Sequence, residues 1–103
     1  VSDFASRAEA FGARDYFGSV CIPAARLVDF LVGEIELGHD ILYFECLYFH
    51  EPAGAQPCME LSCDLESVGA MTALLERARE CAPLAITRAA SKGVAAYFEV
   101  AEG

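Results

Sequence analysis

Apolar residues alternate with polar ones most clearly between positions 32 and 64. Val32 to Leu37 and Asp40 to Phe49 are two runs of strand-like alternation flanking Gly38-His39. A two-residue loop with glycine first suits a type II′ turn, so the pattern predicts a β-hairpin. This register places Val32, Glu34, Glu36, Tyr43 and Glu45 on one face. The other face carries Gly33, Ile35, Leu37, Leu42, Phe44, Cys46 and Tyr48, a core face. A three-residue loop would exchange the faces of one strand relative to the other. His50 to Pro57 is a predicted loop, marked by Pro52, Gly54 and Pro57. Cys58 to Asp64 alternates again, with Met59, Leu61 and Cys63 inward and Glu60, Ser62 and Asp64 outward.

Helical spacing appears elsewhere. Phe4, Ala8 and Phe11 predict a helix over 2–13, capped by Ser2 or Asp3, with Gly12 near its end. Val68, Met71, Leu74, Leu75 and Ala78 form an apolar stripe over 65–81, with Asp64 as cap and Pro83 as terminator. A short helix is expected over 23–31. Strands are expected at Asp15 to Ile22, Leu84 to Arg88 and Val94 to Val100. The succession implies an α+β fold, a two-layer antiparallel sheet with helices packed on one face. It is expected to be ferredoxin-like or a variant with an extra helix and strand.

Composition narrows the function classes. A chain of 103 residues is expected to form one domain spanning 1–103. Its formal net charge is −9, and Lys92 is the only lysine. Such a chain repels nucleic-acid phosphate and anionic membranes, and favours a basic partner or a cationic ligand. With 55% hydrophobic residues in so short a chain, a homodimer or another covering partner is expected. Five cysteines, an odd number, fit reduced thiols in a cytoplasmic protein better than a disulfide scaffold. No apolar run approaches the ~18 residues of a membrane span.

The catalytic signatures are weak. His39, Cys46, His50, Cys58 and Cys63 are close in sequence, yet no CxxC or HxxxH pair exists. Cys46 and His50, four residues apart on an extended strand, are separated by roughly 13 Å. No metal site and no cofactor are therefore expected. Cys58 beside His50 is the least unfavourable nucleophile pair. No phosphate-binding glycine loop and no nucleophile elbow is present. No catalytic residue is assigned.

Binding remains the leading expectation. Tyr43 and Phe49 fall on the same predicted face as Glu45, and the pairs Tyr43-Phe44 and Tyr48-Phe49 put aromatics on both faces of one strand, which implies cover on both. A central strand in a closed core would produce the same pattern. The candidate binding residues are Glu34, Glu36, Tyr43, Glu45, Phe49 and Glu60. They suit protein–protein contact with a basic partner or a second copy, as in an inhibitor or immunity protein. The alternatives are a regulatory domain for a cationic or aromatic small molecule, and a small enzyme using Glu45 or His50 as base.

Overall fold

The computed structural model describes residues 3–103; Ser2, one of the two predicted caps, lies outside them. Asp3 does cap the first helix, α1 (Phe4–Glu9), its carboxylate accepting from the Ser6 N–H at 2.8 Å. The stretch expected as one strand over 15–22 is a hairpin. Its arms are β1 (Arg14–Tyr16) and β2 (Ser19–Pro23). Phe17 and Gly18, both at positive φ (51° and 86°), make the tight turn that antiparallel twist favours.

The predicted helix after Pro23 forms but runs further. A 3₁₀ turn at Ala24–Arg26 leads into α2 (Leu27–Glu36). The expected strand at 32–37 is therefore helix. Leu27, Phe30, Leu31 and Glu34 are its buried residues, a spacing of three and four. Gly38, at φ +76°, ends this helix instead of turning a hairpin. Its N–H bonds the Ile35 carbonyl (3.0 Å) and the His39 N–H bonds the Glu34 carbonyl (2.9 Å), the paired bonds of a Schellman cap.

The next strands, β3 (Ile41–His50) and β4 (Gly54–Asp64), form the hairpin, turning at 51–53. Most of the predicted loop 50–57 is thus strand. Phe44, Cys46 and Tyr48 face the core as expected, but a bulge at Leu42 exposes that side chain and buries Ile41 instead. Met59, expected inside, is 69% exposed where the β3–β4 register shifts. After α3 (Leu65–Val68), α4 (Met71–Lys92) runs through Pro83 and absorbs the strand expected at 84–88. Pro83 lies on the exposed face of the helix, which runs through it although the Arg79 carbonyl loses its N–H partner. Cys81, Ala82, Ala85 and Ala89 keep a buried stripe across it. The last strand is β5 (Ala95–Glu102).

The result is the expected α+β fold: helices on an antiparallel sheet of order β1-β2-β5-β3-β4. From β2 to β5 the elements succeed one another as β-α-β-β-α-β. But β5, the last strand of that unit, enters between β2 and β3, where a ferredoxin-like sheet has the third strand, so the sheet order departs from the ferredoxin-like one. The main core lies between α2, α4 and the sheet, around Phe30, Leu74, Phe44 and Phe98. Phe44 and Phe98 meet edge to face at 5.4 Å.

A smaller apolar cluster occupies the opposite face of the sheet. Cys21, Leu47 and Phe49 are buried there against Tyr16, Ala55 and Tyr97. The Ala55 N–H donates to Tyr16 Oη at 3.1 Å, and Arg14 pairs with Glu51 at 2.9 Å. These contacts join β1 to β4 and the turn before it, although β1 and β4 are the two outermost strands. In a flat five-stranded sheet those edges would stand about 19 Å apart at ~4.8 Å per strand. The sheet therefore coils towards its helix-free side, making that side concave.

Candidate functional site

The concave face is built by alternation. Phe44, Cys46 and Tyr48 point to the helices, so Tyr43, Glu45, Leu47 and Phe49 point away. On β5, Phe98 and Val100 face the core, which directs Tyr97 and Glu99 to the concave side. The β3–β5 register sets Glu45 directly opposite Glu99, and the β2–β5 register sets Cys21 opposite Glu99 on its other flank.

One end of this face is closed. Phe49 is 3% exposed and sits edge to face with Tyr16 (5.0 Å) and Tyr97 (5.1 Å). The Arg14 guanidinium stacks 4.3 Å from the Phe49 ring. The chain itself thus covers this aromatic residue.

The other end is polar. Glu99 Oε2 accepts from Tyr43 Oη (2.8 Å) and from Ser19 Oγ (3.1 Å). That bond to Glu99, followed by partial burial and the negative charges of Glu99 and Glu45, pushes the Tyr43 phenol up to about 12. Burial, then the charge of Glu99, pushes the Cys21 thiol up to about 11. Past Tyr43 the β3–β4 irregularity opens a hollow of about 560 Å³. Tyr43, Glu45, Met59, Ser62, Asp64 and Arg77 are among its lining residues. Asp64 also caps α3, accepting from the Ser67 N–H at 2.7 Å, and Arg77 pairs with Glu80 at 3.6 Å.

The six expected binding residues do not converge on one surface. Only Tyr43 and Glu45 stand together on the open part of the concave face. Glu34 lies in the helix layer, 2% exposed, with two bonds from Arg7 (2.8 and 3.0 Å) and His39 Nδ1 at 3.5 Å. Glu36 is exposed on α2. Glu60 is exposed on β4 and ion-paired with Arg88 of α4. The 32–37 strand expectation had placed Glu34 and Glu36 beside Tyr43; as helix, the segment carries them to the other layer. Sequence reasoning missed Glu99. Its outward position follows from the alternation Ala96, Phe98, Val100, but its place opposite Glu45 depends on β5 entering the middle of the sheet.

His50 and Cys58, named for the catalytic alternatives, have other partners. His50 Nε2 is paired with Gln56 Oε1 at 2.9 Å, while Cys58 Sγ lies 3.9 Å from Arg88 Nη1. Among the described residues, no group of three or more His, Cys, Asp or Glu side chains is placed to hold a metal ion. No helix among them is long and apolar enough to cross a membrane. No family model, no curated protein and no solved structure matches the chain.

Proposed function

We propose that the protein is a non-enzymatic binding protein whose concave sheet face receives a basic segment of a partner. Tyr43, Glu45 and Glu99 form the centre of the contact. The observation that carries this reading is the direct cross-strand pairing of Glu45 with Glu99. Like charges directly opposite on neighbouring strands destabilise a sheet. A lysine or arginine inserted between them removes that penalty and gains charge-assisted hydrogen bonds. The net charge of −9 adds steering towards such a segment. Blocking a basic protein in the manner of an inhibitor is one form this takes. A second copy of the chain, equally acidic, supplies the complementary charge poorly.

The hollow beside Tyr43 favours a second reading, an organic cation in place of a peptide. Its volume of about 560 Å³ falls in the small-molecule range, and it combines an aromatic ring with the carboxylates of Glu45 and Asp64.

Calorimetric titration with an arginine-rich peptide tests the proposal. Replacing both Glu45 and Glu99 by Gln is expected to weaken binding by about tenfold or more, roughly 1.4 kcal/mol. Glu36→Gln, which removes one charge from the helix layer, should leave affinity nearly unchanged. Equal losses in the two variants would show only non-specific attraction and overturn the proposal. A small guanidinium or quaternary ammonium compound that competes with the peptide would favour the second reading.

A further inference from the structure

We propose that Cys46 and Cys58 form a peroxide-sensitive dithiol that closes to a cross-strand disulfide, with Cys58 as the attacking sulfur. The two residues are directly paired across β3 and β4. Opposed residues of an antiparallel pair have Cα atoms about 4.5 or 5.5 Å apart, and both spacings lie within the roughly 4.4–6.8 Å that a disulfide spans. Both side chains turn to the helix side: Cys46 is fully buried and Cys58 packs half-buried against the same core.

The surroundings separate the roles of the two thiols. The Cys58 thiol reaches Glu60 Oε1 at 4.0 Å, and Arg88 Nη1 lies 3.9 Å from the same sulfur. Cys58 is thus the more accessible of the two sulfurs, with a guanidinium beside it. Cys46 has no such access, and burial pushes its thiol up to about 12. Tyr48 is the third component. Its hydroxyl is buried, and burial, then contact with the Cys58 and Cys46 thiols, raises its pKa. It is placed to donate to an oxygen added at sulfur.

The chemistry balances with a hydroperoxide as oxidant. The Cys58 thiolate attacks the peroxide, an S–O bond forms, the O–O bond breaks, and water or an alcohol leaves with the proton released by Cys58. Cys46 then attacks the Cys58 sulfur, an S–S bond forms, the S–O bond breaks, and hydroxide leaves as water with the Cys46 proton. Two thiols and one hydroperoxide give one disulfide, one alcohol or water, and one further water. The bond ties β4 to β3 next to the irregularity that shapes the hollow, so oxidation acts on the walls of that hollow.

Treatment of the reduced full chain with one equivalent of hydrogen peroxide, followed by intact mass and peptide mapping, tests this. The expected product has lost two hydrogens and carries a Cys46–Cys58 link. Cys46→Ser or Cys46→Ala should leave a sulfenic acid on Cys58 that a dione probe traps. Arg88→Met should slow oxidation by about tenfold. The wild-type map decides even if a Cys46 variant fails to fold. Oxygen addition without a link, or a link between Cys63 and Cys81 or between chains, would overturn the proposal.

Discussion

The two faces of the sheet carry charge in opposite ways. On the helix side, Glu34 is buried, but both of its oxygens meet Arg7 and one approaches His39. On the concave side, Glu45 and Glu99 face each other across β3 and β5, and the donors to Glu99 are the neutral hydroxyls of Tyr43 and Ser19. Where a charge serves the fold, it is matched within the chain. The Glu45–Glu99 pair has no cationic partner among the described residues, and Glu45 lines the hollow, where an outside cation can reach it. The concave face repeats the contrast within itself, since Phe49 is covered at one end while Tyr43 and Glu45 remain accessible at the other.

Substitutions break this comparison at different magnitudes. The largest expected loss is in the helix-side core: Phe98→Ala should cost about 3–5 kcal/mol, read from denaturant unfolding. Tyr97→Ala, its neighbour on the concave face, should cost clearly less because its ring is only half-buried. Equal losses would mean that the small concave cluster stabilises the fold as much as the main core. Next comes Arg7→Met, which strands the Glu34 carboxylate in the helix layer. It should lower the melting temperature more than Arg14→Met, whose partner Glu51 is exposed.

Alkaline pH produces a smaller, graded effect. Tyr43, Cys21 and Cys46 hold their protons more tightly when folded, at about 12, 11 and 12 against ordinary values of 10.0, 9.0 and 9.0. The stability they contribute is therefore complete below about pH 9 and is lost as pH rises from 9 towards 12. Urea midpoints measured across that window should fall steadily. Tyr43→Phe should flatten the part of the fall above pH 10.

The elements were legible where one physical signal dominated. The core face of β3 follows from alternation at Phe44, Cys46 and Tyr48, Leu61 keeps its expected inward place on β4 while Met59 loses it to the register shift, and the start of the helical stripe before Pro83 follows from Leu74 and Ala78. The 32–37 segment failed because Glu34-Ile35-Glu36 alternates like a strand while Glu34 occupies a buried helical position. A glutamate counts as polar in any pattern until its arginine, 27 residues earlier, is known. Gly38 compounded the error, since a left-handed glycine ends a helix as readily as it turns a hairpin. Pro83 reads as a stop, yet the helix runs through it. Half of the acid pair was visible in Glu45. The other half depended on sheet order, which no local pattern encodes.

The smallest effect is the most informative. Glu45→Gln removes the repulsion opposite Glu99 and is expected to raise stability by about 0.2–1 kcal/mol, with the gain shrinking at high salt. The decisive measurement is the unfolding free energy of Glu45→Gln taken together with its affinity for an arginine-rich peptide. The account predicts a variant that is more stable and binds more weakly. A variant that loses stability, or gains it with affinity intact, would contradict the claim that this acid pair is held open for a basic partner.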